Sequence, residues 1–207
     1  MKFLFLHGWG FDRHFWDALR PLLPEWEHVV DDRGYFGAPF APQVEGPCLA
    51  VTHSFGTMCL LSAPPPGLAG IVAINGFLRF TAKGDRPGVP RRVVDLMMRQ
   101  FGRDPLPVLQ TFREECGCGD PVGAFDADLL RADLEVLRDG EAPAPAVPVL
   151  SLEGAHDHLL HAATRDAAFS AAQITRRVHP EAGHLLPREA PQWCADAIRA
   201  FAETLGA

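Results

Sequence analysis

The chain has 207 residues, of which 47% are hydrophobic, and its formal net charge is −7. That length supports one domain with a substantial core, so we expect a single domain over residues 1–207. The negative net charge argues against general nucleic-acid binding. The apolar run at the N-terminus stops at His7, too early for a signal peptide, and no stretch approaches the roughly 18 apolar residues of a membrane span. We therefore expect a soluble, cytoplasmic protein with no nucleic-acid or membrane partner.

Along the first 76 residues, short apolar runs alternate with stretches in which apolar residues recur at helical spacing. Runs that end at glycine or at a polar turn predict four strands, over residues 2–6, 29–30, 48–52 and 71–74. Asp12 can cap a helix that Pro24 would end, which predicts a helix over residues 12–23. A second helix is predicted over residues 55–61, and the proline run after it would end it.

From Phe77 onward the pattern becomes helical, and strands return only near residue 147. The helices predicted in this middle region cover residues 91–101, 107–116 and 128–137. Two further strands are predicted over residues 147–152 and 174–178, and a last helix over residues 191–205. This order predicts an α/β fold with a mostly parallel sheet of about six strands and helices on both faces. The helical middle is then a lid insertion over about residues 77–146.

Ser54, Asp157 and His184 each lie just beyond a predicted strand. The carboxyl ends of parallel strands meet at one edge of a sheet, where the sites of α/β proteins form. A serine hydroxyl becomes a nucleophile when an imidazole takes its proton, and the imidazole needs a carboxylate to orient it. The sequence therefore predicts a triad of Ser54, His184 as general base and Asp157 as orienting acid. Asp126 and Asp128 could replace Asp157, but both fall in the helical insertion.

Serine hydrolysis also needs backbone donors for the developing oxyanion. We expect these to be the amides of Phe55, directly after the nucleophile, and of Trp9, after the N-terminal His-Gly pair. The turn that carries the nucleophile needs small residues two positions before and after it. Gly56 satisfies this, whereas Thr52 stands where glycine is usual. Because β-branched residues suit a strand end, we expect an adjusted turn and not a broken one.

The five cysteines are odd in number and scattered, which favours free thiols over a disulfide framework. Cys116 and Cys118 form a close pair, but no second pair stands at zinc-site spacing. The histidines that flank Asp157 could mimic a metal cluster, although structural or surface roles are favoured. We therefore expect no metal and no cofactor.

The motifs identify the chain as similar to the α/β-hydrolase superfamily over residues 3–205. The residues that carry this are LHGWG at 6–10, THSFG at 52–56, and the later Asp157 and His184. Within the superfamily, the chain resembles the pimeloyl-[acyl-carrier protein] methyl ester esterases of biotin synthesis, through LHGWG, NGF at 75–77 and DRPG at 85–88. That family typically has Asp-Trp-Pro-Gly at the last motif. The resemblance implies hydrolysis of a methyl ester on a carrier-bound pimeloyl chain. This sequence departs from the superfamily because it starts directly on the strand that leads to His7, so we expect the first two usual strands to be absent.

The resemblance also implies a partner surface and an acyl pocket. Residues 79–103 include seven basic and two acidic residues, and lid arginines of the family engage the acidic carrier protein. Arg91, Arg92 and Arg99 would play that part here, the alternative being a solvated helix face. The apolar residues expected to line an acyl pocket, or else to form the core of the lid, are Phe77, Phe80, Met97, Met98 and Phe101.

Other functions remain open on the sequence alone. The same triad would attack other substrates, so a generic short-chain carboxylesterase, an acyl thioesterase or a lactonase are alternatives. A non-catalytic ligand-binding protein on the same scaffold is a further one, since a fold does not fix a function.

Overall fold

The computed structural model describes residues 1–169 and 174–206. Six strands of this part form one sheet in the order β2-β1-β3-β4-β5-β6, and every neighbouring pair is parallel. The strands are β1 (Lys2–Leu6), β2 (Glu27–Val30), β3 (Cys48–His53), β4 (Leu68–Ile74), β5 (Val149–Gly154) and β6 (Ile174–His179). The predicted α/β class and the six-stranded parallel sheet are confirmed.

Helices lie between the strands and after the last one. They are α1 (Phe55–Ser62), α2 (Arg91–Phe101), α3 (Pro105–Glu115), α4 (Ala127–Asp139), α5 (Ala162–Ala168), α6 (Leu186–Glu189) and α7 (Pro191–Thr204). Each of these helices is too short or too polar to cross a membrane. The two short helices α5 and α6 have no counterpart in the prediction.

The central strands are buried on both faces, as expected of a parallel sheet covered by helices. Successive side chains of a strand point to opposite faces. On β1, Phe3 and Phe5 join one apolar cluster, whereas Leu4 and Leu6 join the other. The first cluster includes the buried face of α7, and the second includes α1 and the inner faces of α2, α3 and α4. The helices of the middle region therefore share the core of one face of the sheet.

The helix predicted over residues 12–23 is wrong. Two short 3-10 helices, Arg13–Trp16 and Arg20–Leu22, occupy this region. Asp12 does act as a cap, because its carboxylate accepts a hydrogen bond of 2.9 Å from the amide of His14. Pro21 explains the break, since proline lacks an amide hydrogen and its ring clashes with the carbonyl four residues earlier.

Candidate active site

Ser54, His184 and Asp157 meet at the carboxyl edge of the sheet, and all three are buried. The Nε2 atom of His184 lies 3.2 Å from the Oγ atom of Ser54. On the other side of the ring, Nδ1 lies 2.8 Å from an oxygen of Asp157. This order of contacts, from hydroxyl to imidazole to carboxylate, is the one that activates a serine nucleophile.

The turn that carries Ser54 is strained and closely packed. Ser54 has φ 52° and ψ −123°, a left-handed backbone conformation that is rare for a residue with a side chain. Gly56 is required here, because a Cβ atom on it would lie 2.5 Å from the carbonyl oxygen of Leu6 and 2.6 Å from that of His7. Since α1 begins at Phe55, the positive end of its dipole lies beside the nucleophile.

Thr52 adapts the turn in a way that the sequence did not reveal. Its buried hydroxyl lies 2.7 Å from the hydroxyl of Thr57 and 3.3 Å from the carbonyl oxygen of Val72. The two threonines satisfy each other's polar atoms inside the core. The expectation of an adjusted turn therefore agrees with the geometry.

Asp157 is held as a carboxylate by its surroundings. Its second oxygen accepts hydrogen bonds from the amides of Leu159, at 2.9 Å, and Leu160, at 3.0 Å. Burial raises the pKa of Asp157, but His184 and the two amides outweigh burial and bring that pKa below its ordinary value. The residue therefore stays ionised and can orient the imidazole.

Asp126 and Asp128, the alternative acids, lie away from this centre. Asp126 caps α4, accepting a hydrogen bond of 2.9 Å from the amide of Leu129, and Asp128 stands in the first turn of the same helix. Within the described residues, no group of three or more His, Cys, Asp or Glu side chains is placed to hold a metal ion. All five cysteines are free thiols.

Three side chains that the sequence analysis did not assign hold the loop of His184. Asn75 donates to the carbonyl oxygens of Gly183, at 3.0 Å, and His184, at 2.9 Å. His53 lies with Nε2 2.9 Å from the same His184 oxygen. The carboxylate of Glu189 accepts from the amides on either side of His184, at 2.6 and 3.0 Å. The position of Asn75 directly after a strand, at the same edge as the other site residues, was the available signal.

His53 is a neutral structural partner of His184. Because a carbonyl oxygen can only accept, Nε2 of His53 must carry the proton. Burial lowers the pKa of His53, and the nearby His184 lowers it further. The ring stacks on Phe15 with their centroids 4.3 Å apart. His53 thus supports the backbone of His184.

The loop with the expected oxyanion donor lies against the nucleophile. A Cβ atom on Gly8 would lie 2.9 Å from Nδ1 of the buried His53 and 3.1 Å from the Cβ atom of Ser54, so a side chain here would displace one of these two residues. Within the part of the chain that the structure describes, no protein group accepts a hydrogen bond from the backbone amide of Trp9 or Phe55. Both amides are therefore available as donors beside Ser54.

An apolar cavity of about 510 Å³ adjoins the site. Its lining includes Trp9, Phe80, Met97 and Leu159, with Glu115 among its few polar residues. Trp9 belongs to the loop beside Ser54, and Leu159 donates to the carboxylate of the site. The cavity can therefore receive an apolar chain attached to a group at the nucleophile.

Only Phe80 and Met97 of the five expected pocket residues line this cavity, and the expectation is wrong for the other three. Phe77 is buried behind Phe80, with their ring centroids 5.2 Å apart. Phe101 is buried in the core, and Met98 packs against that core from the side. On α2, the residues that line the cavity are at positions 93, 94 and 97. Phe101 instead packs edge-on against Trp9, with their ring centroids 6.1 Å apart.

The three expected carrier-contact arginines differ in their surroundings. Arg91 forms an ion pair of 2.5 Å with Asp139. Arg92 and Arg99 are exposed and form no ion pair with the described residues. Glu141 pairs with three other basic residues of the segment, which are Arg79, Lys83 and Arg86.

Solved structures with the same architecture are known. The esterase from Exiguobacterium antarcticum has a TM-score of 0.82 at 15% identity, and the match covers 98% of this chain and 92% of that one. Bromoperoxidase from Bacillus anthracis has a TM-score of 0.73 at 14% identity, over 98% and 92% of the two chains. Epoxide hydrolase from Bacillus megaterium has a TM-score of 0.70 at 17% identity, over 97% and 93%. The chain therefore has the α/β-hydrolase fold, as the resemblance implied.

Sequence comparison gives a more specific similarity than the fold comparison does. The pimeloyl-[acyl-carrier protein] methyl ester esterase of Sodalis glossinidius (strain morsitans) is 27% identical over 164 residues. That alignment covers 70% of this chain and 62% of the esterase, which is less than two thirds of its length. No protein-family model matches the chain.

Proposed function

We propose that this protein is a serine carboxylesterase that works through an acyl-enzyme on Ser54. The observation that carries the proposal is the hydrogen-bonded line from the Ser54 hydroxyl through His184 to Asp157, with distances of 3.2 and 2.8 Å. The strained turn at Ser54, which holds the hydroxyl at the start of α1, supports it further.

The geometry suits a two-step hydrolysis. The Oγ atom of Ser54 attacks the ester carbonyl while Nε2 of His184 takes its proton, and the amides of Trp9 and Phe55 stabilise the oxyanion. The tetrahedral intermediate collapses, and the His184 proton leaves with the alcohol. Water then attacks the acyl-enzyme, gives a proton to His184, and releases the acid as Ser54 regains its proton. Asp157 stabilises the imidazolium in both steps.

The favoured substrate is the methyl ester of a pimeloyl chain on an acyl carrier protein, which would place the enzyme in biotin synthesis. Three observations support this choice: the similarity to the Sodalis glossinidius esterase, the apolar cavity beside the nucleophile, and the exposed arginines Arg92 and Arg99 on α2. A carrier protein is acidic, so unpaired guanidinium groups on a helix that also lines the cavity would favour its approach.

Hydrolysis of p-nitrophenyl acetate and butyrate tests the chemistry. We expect turnover by the wild-type protein, loss of turnover in Ser54→Ala, and labelling of Ser54 by a fluorophosphonate. Ser62→Ala is a matched control, because Ser62 lies on the same helix and donates to the carbonyl oxygen of Met58. Full activity of Ser54→Ala, or absence of both turnover and labelling in the wild type, would contradict the proposal.

A substrate panel tests the finer assignment. Carrier-bound pimeloyl methyl ester should be hydrolysed faster than the matching carrier thioester, and expression should restore growth of a biotin-requiring strain that lacks its own esterase. Arg92→Glu with Arg99→Glu should lower kcat/KM for the carrier-bound ester only, whereas Arg177→Glu, on the edge strand β6, should leave it unchanged. Good p-nitrophenyl ester turnover without carrier-ester turnover would leave a generic esterase.

A further inference from the structure

The peptide unit between Gly8 and Trp9 is held at its carbonyl end by the ring of His7. The Nδ1 atom of His7 lies 2.9 Å from the Gly8 oxygen, and the backbone amide of Arg33 donates to Nε2 of the same ring at 3.1 Å. Since Nε2 accepts, Nδ1 carries the proton and donates it to Gly8. A peptide unit is planar, so fixing the Gly8 carbonyl also fixes the direction of the Trp9 N–H.

The other end of this peptide unit is anchored to α4. The indole Nε1 atom of Trp9 donates to the carbonyl oxygen of Leu130 at 2.8 Å, and this contact is buried. The indole also packs edge-on against Phe112, with their ring centroids 4.8 Å apart. The residue that carries the expected oxyanion donor is thus tied to a helix that lies 121 positions away in the chain.

The same turn of α4 also holds Arg33. Its guanidinium binds the carboxylate of Asp133 at 2.9 and 2.5 Å, and the Tyr35 hydroxyl donates to that carboxylate at 2.5 Å. Asp133 and Tyr35 are buried. Leu130 and Asp133 are three positions apart, so they lie on one face of the helix. One line of contacts runs from Asp133 through Arg33 and His7 to Gly8, and another runs from Leu130 to the Trp9 indole.

We infer that α4 is the positioning element of the oxyanion site, and that the side chains of Trp9, Arg33 and Asp133 are positioning residues for the reaction. This inference rests on the proposed esterase function. Its physical basis is that an oxyanion donor stabilises the transition state only when it is aimed at the position of the developing charge. A small misplacement of such a group can cost about two orders of magnitude in rate.

The test compares Asp133→Asn and Trp9→Phe with Glu135→Gln, a matched change at an exposed position of the same helix. We expect kcat for p-nitrophenyl butyrate to fall about tenfold or more in the first two variants. KM should stay within about twofold of wild type in Asp133→Asn, since Asp133 does not line the cavity. The inhibition constant of a trifluoromethyl ketone, which forms a tetrahedral adduct with serine, should rise by a similar factor. Glu135→Gln should match the wild type in all three quantities.

A lower melting temperature with unchanged kcat and unchanged inhibitor affinity would assign a merely structural role and overturn the inference. If Trp9→Phe does not fold, Asp133→Asn and Tyr35→Phe decide the question by the same three readouts. Failure of the proposed function is a different result, because the wild-type protein would then show no Ser54-dependent turnover. Wild-type turnover with unimpaired Asp133 and Trp9 variants would reject the positioning role alone.

Discussion

Replacing Asp157 by asparagine should abolish most of the esterase activity by reversing the tautomer of His184. One oxygen of Asp157 accepts from the amides of Leu159 and Leu160. The asparagine oxygen must keep that place, because only an acceptor can face two N–H donors. Its NH₂ group then points to Nδ1 of His184, which must accept, and the ring proton moves to Nε2. That nitrogen faces the Ser54 hydroxyl at 3.2 Å and can no longer take its proton.

The expected loss in kcat is on the order of 10³ to 10⁴, the size found when a serine triad carries the wrong tautomer. It corresponds to about 4 to 5.5 kcal/mol in the activation free energy. The assay is p-nitrophenyl butyrate hydrolysis, with melting temperature as a check on folding. Asp126→Asn is the matched control, since that aspartate only caps α4, and it should keep wild-type kcat. A folded Asp157→Asn variant that retains more than about a tenth of the activity would refute the reasoning.

Three further predictions concern the core around the site. Gly56→Ala should lower the free energy of unfolding by about 1 to 3 kcal/mol and impair turnover, because the added methyl group would lie 2.5 Å from a carbonyl oxygen. Gly37→Ala is the control and should change neither quantity, since no atom lies within 4 Å of a Cβ atom added there. Burial lowers the pKa of His53, so the free energy of unfolding should decline as pH falls below about 6.5. His53→Gln, which keeps a donor but does not titrate, should show a smaller decline in denaturant melts between pH 7 and 5, and an equal decline would contradict this. Burial raises the pKa of Cys59 and Cys194 to about 12. An aryl disulfide reagent at pH 8 should therefore leave both thiols unmodified until guanidinium unfolds the protein. Rapid labelling of either thiol in the folded protein would contradict this.

The sheet and the convergence of the three site residues could be predicted because both follow from local patterns. Each strand is a short apolar run with a clear end, and each of Ser54, Asp157 and His184 comes directly after or near such an end. In a parallel sheet those ends meet at one edge, so sequence position alone brought distant residues together. The bounds of β1 and α2 needed no correction, since polar or proline signals mark both of their ends.

The supports of the site could not be predicted, because their partners are backbone groups whose direction depends on the whole fold. Asn75 and Glu189 bind the peptide groups around His184, and neither stands in a motif with that residue. The same limit applies to Met98 and Phe101, which share α2 with Met97. Helical spacing places them on the same side of α2 as Val94, but contacts with the rest of the fold decide which of these side chains reaches the cavity.

The charge of the segment over residues 79–103 shows how tertiary contacts redefine a pattern that looks simple in the sequence. The segment has seven basic and two acidic residues. Two carboxylates that lie outside it, Asp139 and Glu141, form ion pairs with four of the seven basic residues. The other three basic residues, Arg92, Arg99 and Arg103, are exposed. Of these, Arg92 and Arg99 both belong to α2 and are seven positions apart, which is about two turns. They therefore lie on one side of the helix, about 10 Å apart along its axis. An acidic partner that binds these two guanidinium groups has to approach that side of α2, whereas Val93, Val94 and Met97 line the cavity from other positions around the same helix.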